Sequence, residues 1–481
     1  MKTVAIIGGG FSGTLTAVNL ARLAKDPLRI VLINHAFPLG RGVAYSTKRL
    51  EHLLNVAARN MSAFPDLPNH FVDWLGTRSE YADVPEAMLR EQFVPRKVYG
   101  DYLQALLFWH GKGATSARVH IDSIHGEALD IVPGAGRVAV VVEGHPTIEA
   151  DKVLLATGNQ LPADLPLSQG KFAHPRYLAN PWEVRAEQLT DHQANFVLVG
   201  AGLTMIDMFL TLSALDWQGT IFAISRTGLL PLSHFKGIEY PDFPPEDPTS
   251  LGLSRLAELM EEHCARLRAR GENPAIVVDK LRPFTQRVWQ KFSVEEKRRF
   301  CRNHRTRWNV TRHRIAQSIH AKLTAAIAAG TLRIIDGRIG SMSDHGGLIQ
   351  VSVQKTSSDN KPELIEAGWV VNCTGPRESY KNSQAALFEN LFDRGLVQAD
   401  ELDMGIKATA DFAVIDGGGY TSDFLFALGP LLRGILWEST AVPELRLQTR
   451  RVAETILAQL EGGASPDWFA EMWVEVLEYV I

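Results

Sequence analysis

The chain is poor in cysteine. Cys264, Cys301 and Cys373 lie far apart with neither CxxC nor CxxxxC spacing, which argues against a disulfide framework, a zinc site and a dithiol redox pair. No charge of one sign dominates: 50 Lys and Arg against 54 Asp and Glu leave a formal net charge of −4. Composition therefore gives no reason to expect nucleic acid or an anionic membrane as partner. Long apolar runs are missing too. The run after Lys2 lasts about five residues, against roughly 7–15 for a signal-peptide core. The stretch 424–436 is broken by Gly429, Pro430 and Arg433, whereas a membrane span needs about 20 apolar residues. Neither a sequence repeat nor a low-complexity tract is present. These absences predict a soluble, cytoplasmic protein without a metal site. The 481 residues, 45% hydrophobic and 22% charged, suffice for two or three structural units.

What the sequence does have is one device twice. "VAIIGGGFSG" (4–13) runs an apolar strand into Gly8, Gly10 and Gly13, and a helical pattern follows from Phe11 and Ser12 onward. In GxGxxG the first glycine permits the turn, the second lets the backbone approach a pyrophosphate, and the third lets helix and strand pack closely. The helix N-terminus offers free N–H groups and a positive dipole end to the phosphates. The second strand, "LRIVLIN" (28–34), ends in Asn34 where an acid usually grips the ribose. An amide can hydrogen-bond the hydroxyls but brings no charge.

"FVLVGAGLTM" (196–205) repeats the turn with Gly200 and Gly202, followed by Thr204, and places Met205 at the third position. Its second strand ends in Ser225 and Arg226. An arginine there accommodates a 2′-phosphate and favours NADPH; the alternative is a solvated strand-end charge. Between the units, "DKVLLATGNQLP" (151–162) ends a strand at Thr157 and Gly158. Similar signals recur in "WVVNCTGP" (369–376) and "FLFALGP" (424–430), the latter ending in Gly429 and Pro430. Ligands of open α/β sheets sit just beyond such strand ends.

Two glycine units bracketing an ATG loop resemble the two-dinucleotide-binding-domain flavoproteins. The stretches "GRGVAYST" (40–47), "HLLNVAARNMSAFPD" (52–66), "GLTMIDMFLTL" (202–212), "ISRTGLLPLSH" (224–234), "RWNVTRHRIA" (307–316), "VNCTGP" (371–376) and "LFALGPLLRGILWESTAVPELRLQ" (425–448) narrow the likeness. They are similar to FAD/NAD(P)-binding proteins related to the FAD-dependent urate hydroxylase of the two-domain type and, more distantly, to amino-acid N-hydroxylases, including those acting on aspartate. The resemblance implies FAD on the first unit and NAD(P)H on the second. It also implies a monooxygenase in which dioxygen adds at the flavin C4a carbon and the peroxide gives one oxygen to a small polar or anionic substrate, urate being the leading candidate. An N-hydroxylase of an amino acid such as aspartate, and a non-catalytic flavin-binding redox sensor, are the alternatives. Disulfide reductases of this superfamily carry a dithiol and end the late strand in Gly-Asp; Gly429-Pro430 stands there instead.

The resemblance also places Asn55, Met61 and Ser62 along the flavin, with a turn-capping Asn55 as the alternative. Arg96 and Tyr99 open a helix and reach either a polar ligand or solvent. "CRNHRTRWNVTRHRI" (301–315) is either a solvated charged face or an anion site built on Arg307, Trp308, Arg312 and His313. His304 and His313 are too far apart for a helical metal pair. Gly434 and Trp437 read as the start of a helix whose N–H groups face the flavin, with Arg433 assisting and Glu438 in a structural salt bridge. The catalytic candidates are Asn55, Arg307, Arg312 and His313. The expected fold is α/β: a discontinuous FAD domain (1–165 and 365–481) with an inserted NAD(P) domain (190–360) whose helical segment, 248–330, lies over the cleft as a lid.

Overall fold

The computed structural model describes residues 1–112, 118–356 and 361–463. The end of the expected second FAD segment, 464–481, lies outside the described residues. The first sheet grows from Lys2–Ile7 (β1), Leu28–Asn34 (β2) and Val119–His125 (β3), which pair in parallel. A separate antiparallel meander of Ala128–Pro133 (β4), Val138–Val142 (β5) and Ile148–Ala150 (β6) follows, and then Lys152–Leu155 (β7) pairs in parallel with the other side of β1. Val4, Ala5 and Ile6 are fully buried, as befits a parallel sheet covered on both faces. Helix Phe11–Leu23 crosses from β1 to β2. It sends Ala17 and Leu20 into the sheet core and Leu15 and Val18 into a second cluster with Phe71, Tyr99 and Tyr102.

The second sheet repeats this plan. After the short Tyr177–Leu178 (β8) come Phe196–Val199 (β9), helix Leu203–Ala214, Ile221–Ser225 (β10) and Leu332–His345 (β11). Leu348–Lys355 (β12) and Glu363–Ala367 (β13) extend the sheet antiparallel, and Trp369–Asn372 (β14) returns to pair in parallel with β9. The order β14-β9-β10-β11 matches β7-β1-β2-β3 of the first sheet. The chain then completes the first sheet with Ala413–Ile415 (β15) and Thr421–Ala427 (β16), the latter parallel to β7, before the long helix Val442–Leu460. These are two Rossmann-like units, the first discontinuous in sequence.

Two features differ from the sequence reading. Residues 365–372, expected in the first unit, lie in β13 and β14 of the second sheet, because β14 supplies the hydrogen-bonding edge that β9 needs. The helical stretch is also heterogeneous. Helix Gln317–Ala328 is the crossover from β10 to β11, with Ile319 and Leu323 buried beside Leu198 and Ala223. The helices between 253 and 312 form their own core around Tyr240, Trp289 and Trp308. The first of them, Leu253–Ala269, is closed by Gly271 at φ +72°, a left-handed cap. No described helix is long and apolar enough to cross a membrane.

Candidate dinucleotide sites

The first glycine turn is built on steric necessity. Gly8 has φ +110°, and a Cβ there would lie 2.2 Å from the Ala156 carbonyl oxygen; one on Gly13 would lie 1.8 Å from the Gly8 oxygen. Both glycines are demanded by the protein itself. Gly10 is different: its nearest neighbour would be the Gly42 Cα at 3.5 Å, so packing alone does not require glycine there. The space suits a ligand that approaches the backbone. Gly10 caps helix Phe11–Leu23, which has no side-chain cap and no acidic residue in its first turn, leaving its N-terminal dipole end for an anion. The Thr157 hydroxyl beside this turn is buried without a hydrogen-bond partner. Gly429, at φ +76°, faces Ser12: a Cβ there would lie 3.4 Å from the Ser12 hydroxyl, with Pro430 in the turn that follows. An orphaned hydroxyl and an uncapped helix facing a cradle that one Cβ would fill fit a dinucleotide phosphate.

The second unit reproduces these relations. Gly200 has φ +120°, and its Cβ would lie 2.4 Å from the Cys373 carbonyl oxygen, as Gly8 abuts Ala156. Gly202 has no protein atom within 4 Å of such a Cβ and caps helix Leu203–Ala214, again without side-chain cap or first-turn acid. Thus Cys373-Thr374-Gly375 is the counterpart of Ala156-Thr157-Gly158. Met205 takes the place of Gly13 and is fully buried. Thr204 is partly buried in the first turn. The Ser225 hydroxyl accepts from the Gly228 N–H at 3.1 Å. Arg226 is exposed at the end of β10 and makes no ion pair among the described residues.

Several candidates already have partners within the protein. Asn34 accepts from the Gly9 N–H at 3.2 Å and donates to the Phe37 carbonyl at 2.6 Å. This two-sided brace needs an amide, because a carboxylate could not donate to Phe37. Met61 and Ser62 are buried, at 2% and 0% exposure, and the Ser62 hydroxyl donates to the Leu67 carbonyl at 2.6 Å. Asn55 presents its carbonyl to His234 Nε2 at 2.9 Å. Arg96 pairs with Asp207 of the second glycine helix at 2.7 Å, and Tyr99 is buried in the aromatic cluster. Gly434 does not open a helix: the following helix starts at Val442. A Cβ on Gly434 would strike the Asp400 carboxyl at 2.2 Å, and its carbonyl accepts from the Trp289 indole at 2.9 Å.

The arginine-rich run is neither a uniformly solvated face nor an open anion surface. Arg312 is buried against Glu438 at 3.0 Å and Glu444 at 3.5 Å, and Arg314 pairs with Asp279 at 2.7 Å. The Trp308 indole donates to Glu438 at 2.8 Å. Arg305 binds both oxygens of Glu378, at 2.8 and 2.9 Å, while Arg307 stays exposed. With Arg282–Glu444 at 2.8 Å, these bonds fasten the helical region to residues 433–444 as a wall. Glu438 sits at φ +72°, a strained conformation for a side-chain-bearing residue. Burial lowers the His313 pKa below its ordinary value, reinforced by Arg312 and Arg433 and opposed by Glu438 and Glu444.

Sequence reasoning did not find Glu378, Tyr380 or His52. Tyr380 ties the second sheet's loop to the first by donating to the Gly158 carbonyl at 2.8 Å. His52 lies between Thr47 on one side and Asp207 and Thr211 of the second glycine helix on the other. Only the position of Glu378 and Tyr380 just after the CTG turn signalled them.

The FAD-NAD(P)-binding family model matches residues 5–160. No curated protein matches the chain. Among solved structures, L-lysine 6-monooxygenase from Pseudomonas syringae aligns with TM-score 0.65 at 15% identity, covering 96% of this chain and 100% of that one. Ornithine N-hydroxylase from Kutzneria sp. 744, with reduced FAD, NADP+ and L-ornithine, aligns with TM-score 0.63 at 15% identity over 94% and 98%. The FAD-bound cadaverine monooxygenase from Erwinia amylovora gives 0.59 at 14% identity over 95% and 94%. Likeness at such identity shows a common fold.

Proposed function

We propose that the protein is an FAD-dependent monooxygenase that consumes NAD(P)H and hydroxylates a small polar or anionic substrate, with urate the leading candidate. The observation that carries this reading is the duplicated glycine turn: two uncapped helices, each opposite a small-residue loop, provide two dinucleotide cradles in one chain. The first cradle holds FAD and the second NAD(P)H. The relatives in fold crystallised with reduced FAD and NADP+, or with FAD, support the assignment. Bound FAD supplies hydride acceptance and dioxygen activation. The chain's own part is to carry each pyrophosphate on a helix N-terminus, to offer Arg226 to a 2′-phosphate, and to keep water from the reacting groups with the wall of residues 253–312.

A second reading, N-hydroxylation of an amino acid such as aspartate, is favoured by the amine and amino-acid hydroxylases among those relatives. The test is coenzyme consumption in air by the FAD-loaded protein, with and without urate or L-aspartate, with peroxide assayed alongside. NADPH is expected to reduce the flavin, and the true substrate to accelerate consumption and disappear in step with it. If neither coenzyme reduces the flavin under any of these conditions, the monooxygenase proposal fails and a flavin-binding redox sensor takes its place.

A further inference from the structure

The loops that close the two cradles are joined to each other. In the first unit the chain leaves β7 through Ala156-Thr157-Gly158; in the second it leaves β14 through Cys373-Thr374-Gly375. Neither residues 156–167 nor residues 373–379 belong to a helix or strand. Both turns pass through a glycine at positive φ, Gly158 at +72° and Gly375 at +89°. Segments without a hydrogen-bond ladder of their own take their order from whatever their polar groups bind.

Here each loop binds the other. The Tyr380 hydroxyl donates to the Gly158 carbonyl at 2.8 Å, and Gln160 Nε2 to the Ser379 carbonyl at 2.9 Å. The Arg377 N–H donates to the Leu161 carbonyl at 3.1 Å, and Asn372 Nδ2 to the Ala163 carbonyl at 2.9 Å. Asn372, at 0% exposure, also holds its own turn. Its Oδ1 accepts from the Thr374 N–H at 3.2 Å and from the Thr374 hydroxyl at 2.6 Å. The residue in the same place at the end of β7 is Leu155, which can do neither, and there the Thr157 hydroxyl is buried without a partner. The second turn is thus completed from within the protein, by a side chain whose other end rests on the first loop. The first turn has no such brace and is left for a ligand to complete.

We propose that these crossing hydrogen bonds couple the two cradles, so that a dinucleotide in the first tightens binding in the second, with Asn372 and Tyr380 as positioning residues. The coupling rests on the assignment of FAD to the first cradle and NAD(P)H to the second, and not on hydroxylation. A ligand that takes up the Thr157 hydroxyl fixes residues 157–163. Their carbonyls then stand in place for Asn372, Arg377 and Tyr380, and the second turn is ordered before its own ligand arrives. That ligand loses less conformational entropy on binding. Coupling of this kind is reciprocal: the second ligand tightens the first by the same factor.

The test is a binding cycle on the full chain. FAD is titrated by flavin fluorescence with and without a saturating second ligand, and the second ligand is titrated calorimetrically with and without FAD. The probes are 2′-phospho-ADP-ribose and ADP-ribose, taken separately. Each keeps the coenzyme's pyrophosphate but lacks the nicotinamide, so contact between nicotinamide and flavin cannot produce the effect. FAD and the tighter-binding probe are each expected to tighten the other about five- to tenfold. Tyr380→Phe removes one hydroxyl from a ring that stays packed on Phe388, 4.9 Å between centroids, and should cut that factor to about twofold. Asn372→Leu, which copies Leu155, should abolish the coupling and weaken the second ligand on its own; if it fails to fold, Tyr380→Phe still decides. A merely structural role for these residues would weaken both ligands and leave the coupling factor unchanged. A factor of one in the wild type, or the wild-type factor in Tyr380→Phe, overturns the proposal while both cradles stand. If FAD fails to bind, or both probes do, the cofactor assignment falls and takes the coupling with it.

Discussion

At the scale of single residues, glycine has two meanings in this chain. Gly8, Gly13 and Gly200 are fixed by the backbone, since a methyl group on any of them would overlap a carbonyl oxygen. Gly10 and Gly202 have room for one, so they are the positions at which ligand binding separates from folding. Gly10→Ala should leave the apoprotein's melting temperature nearly unchanged and weaken FAD binding about tenfold or more, read by flavin fluorescence titration. Gly202→Ala should keep FAD and weaken NADPH instead; parallel loss of both cofactors from either variant would contradict the division of labour. The steric part of this pattern was readable beforehand, because strand, GxGxxG and helix in that order leave few other uses for glycine. The role of Asn34 was not. Its partners, Gly9 and the Phe37 carbonyl, appear only once the turn is folded, and they explain why an amide stands where an acid was expected.

At the scale of elements, the arginine-rich helix shows where sequence reading stops. Its charges are visible, but Glu378, Glu438 and Glu444, which decide whether those charges are solvated or buried, lie far along the chain in other elements. The sequence marked 248–330 as helical; it could not tell that the last helix there is a crossover packed on the sheet while the others form a wall. The wall depends on Arg312. Arg312→Met would leave Glu438 buried without its counter-charge, and removing one partner of a buried pair costs about 3–5 kcal/mol. Thermal unfolding should report this as a clear drop in Tm, largely recovered in the double variant Arg312→Met/Glu438→Gln, since the second change removes the stranded charge. Equal Tm in wild type and single variant would mean the pair is solvated.

At the scale of the whole molecule, the two units are joined through histidines. His52 donates from Nε2 to the Asp207 carbonyl, and His234 from Nε2 to the Asn55 carbonyl. Burial lowers both pKa values, that of His234 from 6.5 to about 4. Below about pH 6.5 the unfolded chain therefore takes up protons that the folded chain refuses. The contribution of these groups is full above that pH and declines as pH falls toward 4, by up to about 2 kcal/mol for His234 at pH 5. Tm should fall between pH 7 and pH 5, less steeply in His234→Gln; identical slopes would remove His234 from the account. The duplicated topology behind this junction is invisible as a sequence repeat, because the halves share little beyond the glycine turns and the Thr-Gly of two loops, while their lengths differ through the inserted wall. That arrangement has a consequence in time. β7 finds its outer neighbour only in β16, so during synthesis the first sheet waits with a bare strand edge while the second unit and its wall are being made. With about 265 residues between them, at roughly 5–20 residues per second, the wait is tens of seconds. Throughout it the nascent chain carries an unpaired edge that invites association with other strands.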